Sequence, residues 1–259
     1  MKRFPVIIIS ISFLSSIVFA QMPKSYRLNS NPVSSLPPTN SANDIIIQQD
    51  TVWFGTDLGL SFTTNSGISW NNYSGNNSFD AKGISAIAVK NNNIWVASSY
   101  SVKFEGEDIP VGGGLHYSTN SGFTWFSLPQ PKEPESATVD TLIYGSRDSI
   151  RALAATAEEG NITYDIALTK NTVWIASYYG MLRKSIDSGK TWQRVIIPPD
   201  SLDHIDTSMA LNFAFDLSSS AGKLETRENL NHRVFSVYAG DDTTIWVGTA
   251  GGINKSTDG

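Results

Sequence analysis

The chain of 259 residues carries 19 Lys and Arg against 24 Asp and Glu, a formal charge of −5, with no basic cluster, which argues against nucleic acid and anionic membrane surfaces as partners. It contains no cysteine, so disulfides, lipoprotein acylation, thiolate metal sites and cysteine nucleophiles are excluded together. At roughly 100–200 residues per domain, one or two domains are expected.

At the start of the chain, Lys2 and Arg3 precede an apolar run from Phe4 to Phe19, and Val18-Phe19-Ala20 places small residues at the usual cleavage spacing. This predicts a secretory signal peptide over residues 1–20, cut before Gln21, and a secreted or cell-surface protein, the periplasm being the other destination. No later segment is apolar enough to span a bilayer, so no membrane insertion is expected after cleavage. Residues 21–43, with Pro23, Pro32, Pro37 and Pro38 among Asn, Ser and Thr, read as a leader linker or a loosely docked arm.

From Asp44 onward short apolar runs alternate with Asn, Asp, Gly and Ser, and no stretch sustains a helical period. All seven tryptophans fall inside one recurring phrase. Its copies begin at Val52-Trp53-Phe54-Gly55-Thr56, Ile94-Trp95-Val96-Ala97-Ser98, Val173-Trp174-Ile175-Ala176-Ser177 and Ile245-Trp246-Val247-Gly248-Thr249. In Val52-Trp53-Phe54 or Val173-Trp174-Ile175 neighbouring residues are all apolar, and side chains alternate between the faces of a strand, so both faces must be covered. A small sheet buried on both faces and repeated radially is a blade packed between two others. The predicted class is all-β: a β-propeller of four-stranded blades at about 44–78, 83–130, 150–197 and 232–259. The fourth copy stops within its closing turn, so the array is expected to be incomplete, three blades plus the start of a fourth, and the sequence the N-terminal part of a longer one.

The spacing between Trp phrases is uneven because of insertions at 99–111, 130–160 and 197–231, and loops on a rigid repeat scaffold are where function is usually placed. A short helix is expected over Ala152 to Glu159.

Each full copy closes with a turn: Thr63 to Trp70, Ser118 to Trp125 and Ser185 to Trp192; the fourth runs from Ser256 to Gly259. A hydroxyl at the start and an amide or carboxylate oxygen two residues on (Asn65, Asn120, Asp187, Asp258) can accept the turn's own N–H groups. Glycine (Gly67, Gly122, Gly189) tolerates the positive φ of the reversal, and the final Trp70, Trp125 or Trp192 covers it. Exchange of Asn for Asp at the acceptor position argues against catalysis there, and against a calcium site, which would need the charge.

This closing turn resembles the Asp-box, or BNR repeat, of sialidases, sortilin-type receptors and photosystem-assembly-factor propellers, where the box is a fold-stabilising hairpin on the outer rim, away from the ligand face. The phrase Ile245-Trp246-Val247-Gly248-Thr249-Ala250-Gly251-Gly252-Ile253 is similar to repeats of two-component-regulator propellers. With a signal peptide, the combination resembles large exported proteins of Bacteroidota, which often carry a sorting domain for type IX secretion. The resemblance covers residues 44–259 and bears on fold, not on function.

A sialidase would need a Phe/Tyr-Arg-Ile-Pro motif, and the nearest match, Tyr26-Arg27-Leu28-Asn29, lacks the proline. His116, His204 and His232 are isolated and show no metal-ligand spacing, so neither a metal nor another cofactor is expected. Arg147 and Arg151 on one insertion, and Tyr178-Tyr179 after the second strand of the third copy, are the candidates for anion or sugar contact, each weighed against solvated loop charge or inter-blade filling. No catalytic residue is assigned. The leading expectation is an exported non-enzymatic binding or surface scaffold module for a carbohydrate or protein ligand. A sialidase-like or other glycosidase with its catalytic residues elsewhere, and a periplasmic sensor domain of a two-component system, are the alternatives.

Overall fold

The computed structural model describes residues 24–27, 33–74, 79, 82–137, 139–144, 148–209 and 230–259; the expected signal segment 1–20 lies outside them. Among the described residues the regular elements are strands and one 3-10 turn, Leu230–His232. No helix there is long and apolar enough to cross a membrane.

The chain opens with β1 (Lys24–Tyr26). The first blade is β2 (Asp44–Gln48), β3 (Thr51–Thr56), β4 (Gly59–Thr63) and β5 (Asn71–Ser74). The second is β6 (Gly83–Lys90), β7 (Asn93–Phe104), β8 (Glu107–Ser118) and β9 (Trp125–Leu128). After a separate hairpin, β10 (Val139–Tyr144) with β11 (Asp148–Leu153), the third blade is β12 (Thr163–Leu168), β13 (Val173–Ser177), β14 (Met181–Ser185) and β15 (Gln193–Arg194). The fourth is β16 (Val234–Ala239), β17 (Ile245–Thr249) and β18 (Gly252–Ser256). Every blade is an antiparallel meander in sequence order. The innermost strands stand side by side, β2 against β6, β6 against β12 and β12 against β16, which makes the chain a four-bladed β-propeller with the Trp-bearing strand second from the inside in each blade.

The core lies between the blades. Trp53 and Leu60 of blade one meet Ile87, Ile94 and Val96 of blade two. Trp95 with Ala86 and Ala97 meets Ile166, Val173 and Ile175 of blade three. Trp174 with Ala176 meets Val237, Ile245 and Val247 of blade four. At each junction the Trp of one blade's second strand packs against aliphatic side chains from the inner strands of the next, joined in the first two by the closing-turn Trp125 and Trp192.

The inner strands also account for their backbone donors across these junctions. Asp44 accepts the N–H of Ile45, the next residue, at 2.7 Å and that of Ile87 in blade two at 2.6 Å. Asp165 accepts from Ile166 at 2.8 Å and from Val237 in blade four at 2.8 Å. In strand register Ala86 and Ser236 occupy the corresponding place in blades two and four, so a carboxylate serves alternate blades. Between blades two and three the Ser85 hydroxyl donates to the Thr163 carbonyl at 2.8 Å instead.

One expectation changes, and one is narrowed. The helix over Ala152–Glu159 does not form: residues up to Leu153 belong to β11, whose backbone groups are satisfied by pairing with β10, as in Arg151 opposite Thr141. Of the two readings of the leader, linker or docked arm, its described parts fit the docked arm. β1 adds to the edge of blade two beside β9, Ser34 exchanges hydrogen bonds with Trp70, and the Asn72 side chain donates to the Leu36 carbonyl. Tyr26, the start of the sialidase-like match, bonds His116 Nδ1 through its hydroxyl at 2.8 Å, and His116, buried, also bonds Ser127 and Ser98. Tyr26 and His116 thus stitch the arm to the blade.

Burial pushes the Asp165 carboxyl up to about 6, against the opposing effect of its two N–H donors and with a further upward push from the Asp44 carboxylate. Since the folded carboxyl holds its proton more tightly than the unfolded one, its contribution favours the folded state as pH falls from above 6 toward the ordinary 3.8. Carboxyl-carbon NMR is expected to show Asp165 titrating near 6; a midpoint near 4 would mean the inter-blade seam is wet.

Candidate functional site

Meander topology sorts every loop to one of two ends. The turns between first and second strands, and the closing turns between third and fourth, lie at one end, here the turn end. The turns between second and third strands and the connections between blades lie at the other, so all three insertions leave and rejoin the blades at that insertion end.

At the turn end the closing turns share one hydrogen-bond pattern. The hydroxyls of Thr63, Ser118, Ser185 and Ser256 donate to the Oδ1 of Asn65, Asn120, Asp187 and Asp258 at 3.0, 2.9, 2.8 and 2.7 Å. In the three full copies the same hydroxyl accepts the N–H of Gly67, Gly122 or Gly189, and the Oδ1 accepts that of Ser69, Thr124 or Thr191. Ser121 and Gly122 take φ of 57° and 86°, and the equivalent pairs behave alike, so two successive left-handed residues make the reversal. The indole N–H of Trp125 donates to the Gly122 carbonyl at 2.8 Å and that of Trp70 to Gly67 at 3.2 Å. These bonds tie each closing turn to itself.

At the insertion end, β7 and β8 run past the blade as a ribbon that bonds the 130–160 insertion through Gly112 N–H to the Glu158 carbonyl and Gly160 N–H to the Pro110 carbonyl. Beneath it lies a buried charge cluster. Glu133 Oε1 meets Arg183 Nη1 at 2.8 Å, and its Oε2 accepts from Arg183 Nη2 at 3.0 Å, Arg194 Nη2 at 2.7 Å and Ala155 N–H at 2.7 Å. Burial alone would raise Glu133, but the two guanidiniums outweigh it and hold the carboxyl below its ordinary range. The cluster anchors the 130–160 insertion to the outer strands of blade three.

The expected ligand-loop residues are not assembled here into one site. Arg147 lies outside the described residues, and Arg151 is placed only by its backbone, in β11. Tyr179 is buried, and Tyr178 packs against Phe235 at 5.7 Å beneath the Arg233 guanidinium, filling the junction of blades three and four. Among the described residues no group of three or more His, Cys, Asp or Glu is placed to hold a metal ion.

An open cleft of about 560 Å³ lies instead at the turn end, between blades two and three. Its rim carries Lys90, Asn91 and Asn93 from one inner turn, Lys170, Asn171 and Thr172 from the next, and Asp242 from blade four. The nearly buried Trp95 and Tyr117 also border it, their rings stacked with centroids 4.6 Å apart and Phe126 continuing the stack. Asp242 is the one carboxylate of the lining, and it is engaged: Lys170 N–H donates to it at 2.6 Å and Lys90 Nζ lies 3.6 Å away. In the sequence these residues read as ordinary polar turns; the one signal that distinguished them is the recurrence of Lys and Asn at the same turn of adjacent blades.

No family model and no curated protein matches the chain. Among solved structures it is similar to a GH74 xyloglucanase from Xanthomonas campestris, at 16% identity and TM-score 0.48, over 81% of this chain and 26% of that one. It is also similar to YCF48 from Cyanidioschyzon merolae, at 14% identity and TM-score 0.26 over 86% and 84% of the two chains. A third similarity is to the extracellular domain of a one-component system from B. thetaiotaomicron, at 13% identity and TM-score 0.22, over 92% of this chain and 40% of that one. The chain thus spans about a quarter of the xyloglucanase's length.

Replacing Glu133 by Gln strands two buried guanidiniums and is expected to cost about 3–5 kcal/mol in urea unfolding at neutral pH. Because the folded pKa is lowered, the wild type's advantage is complete above the ordinary 4.5 and shrinks as pH falls through the folded value; a difference independent of pH would refute the ion-pair account. In the closing turn, Asn120→Asp keeps the Oδ1 acceptor and is expected to change stability by less than about 0.5 kcal/mol. Asn120→Ala removes it and is expected to cost about 1 kcal/mol in the same measurement.

Proposed function

We propose that the chain is an exported, non-enzymatic binding module built on an Asp-box propeller, and that the cleft between blades two and three takes a polar ligand, a carbohydrate chain before a protein. The observation that carries this reading is the cleft's lining. Amides, hydroxyls and ammonium groups from two adjacent blades converge around a concavity bordered by the Trp95–Tyr117 stack, the kind of polar lining that orients an uncharged polyhydroxylated ligand. Glycoside hydrolysis uses two carboxyl groups about 5–10 Å apart, and this lining offers one, already held by Lys90 and Lys170. Binding without turnover is what such a surface does best.

Export is supported by the Lys2-Arg3 and apolar Phe4–Phe19 pattern. The Asp-box assignment is supported by the shared bonding of the four closing turns, which fits a fold-stabilising hairpin. The GH74 and one-component-system similarities involve proteins of other activities, and for this chain hydrolysis and sensing remain outcomes of the test rather than premises.

The test is binding of the full chain to a panel of neutral oligosaccharides by calorimetry, with release of reducing ends followed in parallel. Binding without release is expected, with a loss of about tenfold, or 1.4 kcal/mol, in Asn171→Ala or Lys170→Ala, whose thermal midpoints should not move. Reducing-end release would replace this reading with the hydrolase one. Binding unaffected by both variants would move the site off the cleft.

A further inference from the structure

Beyond Ser99 the two middle strands of blade two leave their sheet. Ser98 lies opposite Gly114 and Ser99 opposite Gly112, so Gly113 is a bulge that re-aims the pair. From there Tyr100 to Phe104 runs antiparallel to Glu107 to Val111, and the two-residue turn between them, Glu105 and Gly106, takes φ of 51° and 88°. One face of this ribbon is apolar: Tyr100 opposite Val111, Val102 opposite Ile109, and Phe104 at the tip. Val111 at the base is buried, but Tyr100 and Phe104 are 37% and 63% exposed. The other face is polar, with Lys103 Nζ on the Asp108 carboxylate at 2.8 Å.

The two edges of the ribbon differ. On the β8 side, the Pro110 carbonyl accepts the Gly160 N–H and the Gly112 N–H donates to the Glu158 carbonyl, so that edge is covered. On the β7 side, β6 pairs only as far as Ser99, opposite Gly83, and no described strand pairs beyond it. Because Pro110 turns its carbonyl away from β7, Ser101 opposite it turns its own N–H and C=O away from β8, and Lys103, two residues on, does the same. Both residues therefore aim backbone donors and acceptors at an open edge, the condition that recruits a further strand. The ribbon belongs to blade two, which has a blade on either side, so its open edge does not arise from the number of blades.

We propose that this edge pairs with the same edge of a second copy of the chain, antiparallel about a two-fold axis at Val102. In that register Ser101 of each copy faces Lys103 of the other, so the outward backbone groups of both residues are bonded. Val102 faces Val102 and Phe104 faces Tyr100, which makes the apolar face continuous across both ribbons. Neighbouring registers fail. Sliding toward the tips sets Lys103 against Lys103, two like charges, and sliding toward the base sets Lys103 against Ser99, whose backbone already pairs with Gly83. Charge agrees with the pairing. The tip carries Glu105 and Glu107, while at the base the Lys82 ammonium sits 4.9 Å over the Tyr100 ring, and the antiparallel arrangement brings the acidic tip of each copy to the cationic base of the other. The contact is isologous and closes as a dimer.

The chain has no cysteine, so a single introduced one reports a single contact. In the full chain carrying Val102→Cys, mild oxidation is expected to give a disulfide-linked dimer, because a non-hydrogen-bonded pair holds its Cα atoms about 4.5 Å apart, within disulfide reach. Lys103→Cys, whose counterpart lies across the axis and two residues along, is expected to stay monomeric on the same non-reducing gel. By sedimentation at micromolar concentration the wild type is expected at twice the mass of one chain and Ser101→Pro at one. That proline removes an outward N–H and spares the ribbon's own ladder, as Pro110 opposite already does, and circular dichroism checks that the fold is kept. A monomeric wild type, a dimer unaffected by Ser101→Pro, or cross-linking at position 103 equal to that at 102 would each overturn the proposal.

Discussion

Burial of the second strand on both faces, complete in blades two and three, is the condition on which the rest of this molecule depends. A strand reading Ile-Trp-Val or Val-Trp-Ile has no side that tolerates water, and a single small sheet can cover neither. Neighbouring blades supply both covers, which is why the apolar core is distributed among the junctions and each blade's stability depends on the next. The backbone follows the same dependence, since the N–H groups of Ile87 and Val237 find their acceptors on the preceding blade.

Much of this was legible from the amino acids. The Trp phrase located the doubly covered strand, and the hydroxyl, Asx and Gly spacing located turns whose bonds the structure repeats from copy to copy. Less was legible wherever two distant segments share one charge. Nothing in the neighbourhood of Glu133 announces that it is the counterion of Arg183 and Arg194, because pairing across that separation is set by how the insertion folds back. Where the leader docks was illegible for a related reason. Its composition cannot order itself, but a three-residue strand needs only an unpaired sheet edge, and β9 provides one.

The two ends of the propeller divide the work differently from what insertion length suggests. Long loops gather at one end, where Glu133 holds the 130–160 insertion to blade three and backbone bonds hold the ribbon to residues 158–160, while tip charges such as Lys103 and Asp108 stay exposed. Short turns gather at the other, and because consecutive blades present the same turn side by side, a few Lys and Asn residues form a continuous rim without any insertion. Repetition itself, rather than loop elaboration, builds that concavity.

The alternating carboxylate gives the array a grain of two. Were blade two excised and blade one spliced directly onto blade three, Asp44 would face an Ile166 N–H already held by Asp165, and two desolvated carboxylates would crowd one seam without a donor between them. Removing blades two and three together would bring Asp44 to Val237, whose N–H takes its carboxylate from the preceding blade. Whoever shortens, lengthens or shuffles this scaffold must therefore cut it in couples, as one would cut a woven cloth along its repeat.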